Sequence, residues 1–124
     1  MITVTPAEIA QFRSELSTYP DALVALDAIE DCEGDLEDAA IVLALHAGQE
    51  PDTSERWLES VAKRCRAVIC QKDFKEELLQ GKLNNLVGHL ATTSYCPKIL
   101  VTPVVLYVAK QGVDEFCQVL NGDA

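Results

Sequence analysis

Basic residues are almost missing from the first half of this chain: between Met1 and Glu55 the only one is Arg13. Thirteen carboxylates face it, a formal charge of −12. From Arg56 onward nine bases meet seven acids, giving +2, and the two parts recover the overall −10 of the 124 residues. At a sequence pI of about 4.5 most of the surface repels phosphate, so nucleic acid is not an expected partner. Aromatic residues are also scarce. Three Phe, three Tyr and one Trp leave Leu, Val, Ile and Ala to fill the core. The longest apolar run, Ile99 to Ala109, is interrupted by Thr102 and Pro103 and is about half of what a bilayer-spanning helix requires. Met1 to Ala10 lacks a basic patch followed by an apolar stretch, so no secretory leader is expected. A cytoplasmic, non-membrane protein is the expectation.

Cysteine spacing excludes more than it offers. Cys32, Cys65, Cys70, Cys96 and Cys117 are odd in number and contain no C-x-x-C pair. That pattern predicts reduced thiols acting as small buried hydrophobes, without a disulfide framework. Cys65 and Cys70 stand five apart, about 140° from each other on a helix, which does not suit paired zinc ligands. No metal and no cofactor are expected. A phosphate-cradling glycine loop, a histidine–glutamate zinc motif and a nucleophile elbow are all missing from the sequence.

What is present is helical punctuation. Thr5-Pro6-Ala7-Glu8 combines an N-cap, a proline at the first helical position and a glutamate able to return to the cap. Ile9, Phe12 and Leu16 follow at helical spacing. Pro20 opens a second helix with Ala22, Ala25, Leu26, Ile29 and Cys32 on one face, closed by Gly34. Asp35 caps a third, Leu36 to Ala47, which Gly48 stops. Its centre, Ala39 to Leu45, is apolar on every side, which predicts a central, surrounded helix. Asp52 with Glu55 reads as a capping box for a fourth helix carrying Trp57, Leu58, Val61, Cys65, Val68 and Ile69. Asp73 with Glu76 repeats that signal for a fifth, with Leu79, Leu83, Leu86 and Leu90 as its stripe and Gly81 as its kink or break. After a loop from Ala91 to Lys98, Thr102-Pro103 starts a last segment through Leu120, bent near Gly112. The β-branched cluster from Ile99 to Val105 keeps a strand as the competing reading there. The expectation is an all-α, single-domain bundle of about six helices over residues 1–124, with an acidic half (1–55) and a mildly basic half (56–124).

The acidic segment from Asp27 to Asp38 is the first place to look for a surface with a purpose. Asp27, Glu30 and Asp31 fall on the solvent side of the second helix at spacings where like charges oppose one another by a few tenths of a kcal/mol. Asp35, Glu37 and Asp38 sit in the first turn of the third helix, where the helix dipole favours them. Capping thus accounts for half the cluster and leaves the other half available to a basic partner. The oxygen spacing and closing glutamate of an EF-hand loop are missing. The basic counterpart is Arg56, Lys63, Arg64, Arg66, Lys72, Lys75 and Lys82, partly neutralised by the Glu59–Lys63 pair four residues apart.

The run Ala28-Ile29-x-x-x-x-Gly34-Asp35-Leu36-Glu37-x-Ala39 resembles the helix–turn–helix core of ubiquitin-associated (UBA-like) domains and of the N-terminal domain of elongation factor Ts. In those families an Ala-Leu pair precedes a Gly-Asp or Gly-Asn turn, and an acid and an alanine lead into the third helix. The resemblance covers Pro6 to Ala47, about a third of the chain, and implies a small helical binding module linked to other proteins or to translation. Tyr19-Pro20 stands where ubiquitin-binding members carry a Met-Gly-Phe-type loop and the elongation-factor domain a Thr-Gly element. The binding residues of those families are therefore not carried over.

The leading functional expectation is a non-enzymatic interaction module or adaptor. Asp27, Glu30, Asp31, Asp35 and Asp38 form one docking surface, and Lys63, Arg64 and Arg66 a second, for another protein or for a second copy. The alternative is a small ligand-binding bundle or enzyme using His46 or His89 with a cysteine in a pocket. No catalytic residue is assigned. Tyr95, Cys96, Tyr107, Phe116 and Cys117 read as ordinary C-terminal core.

Overall fold

A computed structural model describes residues 2–48 and 57–122, with nine helices and no strand among them. Thr5 and Glu8 form the expected capping box over α1 (Pro6–Glu15), which buries Ile9 and Phe12. After Tyr19, Pro20 starts α2 (Pro20–Asp31), whose Ala22, Ala25, Leu26 and Ile29 face inward. Asp35 then caps α3 (Leu36–His46). The fourth helical stretch is two pieces, α4 (Trp57–Arg64) and α5 (Arg66–Ile69), because the chain leaves helical geometry at Cys65. Leu58, Val61, Cys65 and Val68 are buried all the same. The Asp52–Glu55 box lies outside the described residues.

The expected Asp73–Glu76 box does not form. α6 (Lys72–Leu79) begins two residues earlier, behind Gln71, with Asp73 already in its first turn. Gly81, at φ +79°, separates α6 from α7 (Asn84–Leu90). Leu79 belongs to the exposed side instead of the stripe, while Leu78 is buried.

The centre of the bundle is α8 (Lys98–Gln111), not α3. From Leu100 through Val108 every residue of α8 is buried, and it packs against α2, α3, α4, α7 and α9 (Val113–Gly122). A helix apolar all round must be enclosed. Nine consecutive buried residues make a stronger claim on the centre than the seven of Ala39 to Leu45. Helix α3 is a wall: Leu36, Ala39, Ala40, Leu43 and Ala44 face inward, while Leu45 and His46 are exposed. The start of α8 also differs from expectation. It follows Pro97, and Pro103 sits inside the helix, where it offers no N–H to the carbonyl four residues back. Burial on all sides overrides both this proline and the β preference of Ile99 to Val105. Gly112, at φ +124°, ends α8, so the anticipated bend is a break. Among the described residues no helix is long and apolar enough to cross a membrane.

The two halves of the chain are tied to each other. Lys110 on α8 donates to both carboxylate oxygens of Glu8, at 2.9 and 3.0 Å. Glu15 at the end of α1 accepts from the backbone N–H groups of Leu83 and Asn84. It thereby caps α7 from 68 residues away.

The cysteine expectation needs correction. Cys70 and Cys117 are joined by a disulfide, with Cα atoms 5.6 Å apart and a sequence separation of 47. Local spacing carries no information about such a pair. The bond is made when α9 packs on α5 and α6. Cys32, Cys65 and Cys96 are free thiols.

Candidate docking groove between α2 and α3

The turn joining α2 to α3 is built around two left-handed residues, Glu33 (φ +57°) and Gly34 (φ +87°). The Gly34 amide returns to the Ile29 carbonyl at 2.8 Å, closing α2. The N-terminal segment lies across this turn. Val4 N–H donates to the Gly34 carbonyl at 2.9 Å, and Leu36 N–H to the Ile2 carbonyl at 3.2 Å, around a bridge between Thr3 and Asp35. A Cβ at position 34 would overlap the Val4 carbonyl oxygen, so glycine is required here for both conformation and space. The turn fixes how α3 lies beside α2.

The five acids singled out from the sequence have different surroundings. Asp35 is spent on its helix, Oδ1 accepting from the amides of Glu37 (3.0 Å) and Asp38 (3.1 Å). Arg13 reaches across from α1 to Asp27 (2.7 Å) and Glu30 (3.6 Å). Asp31 and Asp38 are exposed. Glu30 turns instead toward a cleft of about 290 Å³ with Val4, Pro6, Ile9, Glu33 and Gly34. On the basic side, Lys63 meets Glu59 at 3.5 Å and Arg64 is exposed. The half-buried Arg66 lays its guanidinium 4.7 Å from the centre of the Phe116 ring.

Between α2 and α3 runs an open groove of about 220 Å³, floored by Ala28, Leu43 and Cys32 and edged by Val24, Val42, Asp27, Asp31 and His46. Its edges carry apolar side chains in water. Val24 is 49 % exposed, Val42 36 % and neighbouring Leu45 59 %. A few apolar atoms on a surface mean little. Val24 and Val42 line the groove beside Asp27 and Asp31, and Leu45 is exposed on the same helix as Val42. Sequence reasoning missed this feature because Ala39 to Leu45, read alone, implied enclosure. The available signal was the pairing of outward Val24 with the a priori two-sided Val42 and Leu45.

The groove also holds His46 with a thiol and two carboxylates, so its chemistry bears on the enzymatic alternative. Burial pushes the Cys32 thiol up, and the negative charges of Asp38, Asp35 and Asp31 push it further. A nucleophilic or metal-binding cysteine needs the opposite shift. His89 lies on another face, its ring 5.2 Å from Phe74. Among the described residues no three His, Cys, Asp or Glu side chains converge as a metal site. No protein-family model, curated protein or solved structure matches this chain.

Proposed function

We propose that this protein is a protein-interaction module whose α2–α3 groove receives the apolar face of a basic amphipathic helix from another protein. The observation that carries the reading is the exposure of Val24 and Val42 along a groove rimmed by Asp27 and Asp31, with exposed Leu45 on the same helix as Val42. A helix laid into such a groove would seat residues at i, i+3 or i+4 and i+7 between the two valines. Its flanking Lys or Arg side chains would meet the carboxylates. The acidic first half favours such a partner at encounter, by long-range attraction that salt weakens. The UBA-like resemblance of Ala28 to Ala39 supports the same class of role.

A second copy is the weaker candidate for the occupant. The basic helix of this chain, α4, already spends Leu58, Val61 and Ala62 in its own core. It can offer Lys63 and Arg64 but no apolar face.

The test uses ¹⁵N-labelled protein titrated with a synthetic Leu/Lys amphipathic helical peptide and, separately, with a sequence-scrambled peptide of the same charge. Amide shifts should concentrate in 24–32 and 42–46 for the helical peptide. Val42→Glu should weaken binding about tenfold or more, as loss of a central apolar contact does. Shifts spread evenly over the acidic surface, or equal binding of the scrambled peptide, would reduce the groove to a solubilising charge.

A further inference from the structure

The second half of the chain, away from the groove, carries the Cys70–Cys117 bond. We propose that Cys70 is a thiol-exchange site for small anionic thiols of the glutathione class, and that the Cys70–Cys117 disulfide is a latch on α9. The two sulfurs are not equivalent. Cys117 is fully buried, whereas Cys70 is half-buried and lines an open cleft of about 390 Å³ with Lys72, Lys75, Glu76, Leu79 and Asp114. Attack on a disulfide requires a thiolate to reach one sulfur, and of the two residues only Cys70 is partly exposed and borders the cleft. Lys72 is exposed on the cleft wall, and Lys75 bridges the cleft to Asp114 at 3.3 Å. On this lining Lys72 and Lys75 stand against Glu76 and Asp114, and Lys75 is paired with Asp114, so the exposed Lys72 ammonium is the charge that favours an anionic thiol here. Cys65 and Cys96 form the contrast, free thiols buried inside the core.

The chemistry balances as two exchanges. A thiolate RS⁻ attacks the Cys70 sulfur, a new S–S bond forms, and the Cys70–Cys117 bond breaks with its electron pair going to Cys117, which takes a proton. A second RS⁻ then attacks the adduct sulfur, releasing Cys70 as thiolate and RSSR as product. The protein gains two electrons, and two molecules of RSH supply them.

The same bond holds α9 in place. Without it, α9 is retained by burial of Val113 and Phe116, by Arg66 over Phe116, and by the exposed Lys75–Asp114 pair. In a reducing compartment a disulfide persists only where thiols cannot reach it. This one is reachable, so its state reports the thiol pool and α9 responds.

The experiment uses the full chain carrying Cys32→Ser, oxidised, incubated with glutathione or with uncharged 2-mercaptoethanol in native buffer. Peptide mapping should place the first adduct on Cys70. Lys72→Glu should slow the glutathione reaction about threefold at low salt and leave the 2-mercaptoethanol rate within about twofold. Lys72→Gln serves as a milder second variant. After reduction, hydrogen exchange should rise about tenfold or more across 113–122 while 100–108 stays protected. Adducts on Cys117, reduction only in denaturant, equal slowing of both thiols, or unchanged exchange in α9 would each overturn the proposal.

Discussion

Replacing Gly34 by alanine separates two costs that a positive-φ glycine usually mixes, because Gly48 supplies the control. Both residues are left-handed, at φ +87° and +76°. Among the described residues an added Cβ at Gly48 meets nothing within 4 Å, while at Gly34 it overlaps the Val4 carbonyl oxygen. Holding an L-residue left-handed costs about 1–2 kcal/mol. The loss of unfolded-state entropy on replacing glycine returns about 0.4–1 kcal/mol of that. Gly48→Ala should therefore cost about 1 kcal/mol. At Gly34 the N-terminal segment must also move away. That breaks the Val4–Gly34 and Ile2–Leu36 hydrogen bonds, about 1 kcal/mol each. It also uncovers part of Val4, whose full burial is worth about 1.5–3 kcal/mol. Gly34→Ala should then cost about 4 kcal/mol. Urea denaturation of the two variants against the parent measures the difference. For a domain of this size, 3 kcal/mol between them corresponds to roughly 10 °C or more in Tm. Hydrogen exchange at the Val4 amide should accelerate in Gly34→Ala alone. Equal midpoints for the two variants would refute the claim that the N-terminal segment is clamped onto the α2–α3 turn.

Three further outcomes follow from the same geometry. A chain closed by a disulfide across 47 residues gains about 4 kcal/mol in the loop-entropy account; Cys117→Ser should lose most of that in urea denaturation, and a loss below about 1 kcal/mol would refute it. Glu15→Gln weakens the cap that Glu15 places on the Leu83 and Asn84 amides and should cost about 1 kcal/mol, with faster exchange at those two amides and not elsewhere in α7. The Glu8 carboxyl is held below its ordinary value first by the Thr5 amide and then by Lys110; a depressed folded-state value means stability that is complete above the usual carboxylate range of about 4.3 and lost as pH falls through the lower folded value. Glu8→Gln should remove that component of the acid limb in denaturation followed from pH 5 to pH 2, and an unchanged limb would contradict it.

How much of this was legible before the structure varies by the range of the interaction. Caps and stops are local, and Thr5, Asp35, Gly34, Gly48 and Gly81 each act within a few residues, so all five declared themselves. Inward faces were legible for the same reason: Ala22, Ala25, Leu26 and Ile29 repeat at the helical period whatever they pack against. What failed was competition. Two segments had an apolar circumference, Ala39 to Leu45 and Leu100 to Val108, and only packing decides which takes the centre. The Asp73 box failed because Lys72 could also begin the helix, and boundaries are set by margins smaller than a hydrogen bond. The disulfide, the Glu15 cap and the Glu8–Lys110 tie join residues 47 to 102 positions apart, beyond the reach of any periodicity.

The charge asymmetry illustrates how a strong sequence signal changes meaning once residues have neighbours. Read along the chain, −12 against +2 suggests two opposed surfaces. In the fold, Glu8 is matched by Lys110, Glu15 by the α7 amides, and Asp27 and Glu30 by Arg13, while Asp35 serves its own helix. Those acids do structural work, and a screen of charge reversals across them would report stability changes as readily as binding changes. The residues free of that confusion are the exposed Val24, Val42 and Leu45. A polarity change at a side chain largely in water, such as Leu45, costs the fold within about 0.5 kcal/mol, and Val42, 36 % exposed, is read together with the stability of its variant. A binding loss at these positions therefore reads directly on the partner, which is why the decisive substitution for the proposed function is apolar Val42 and not any of the carboxylates that first drew attention.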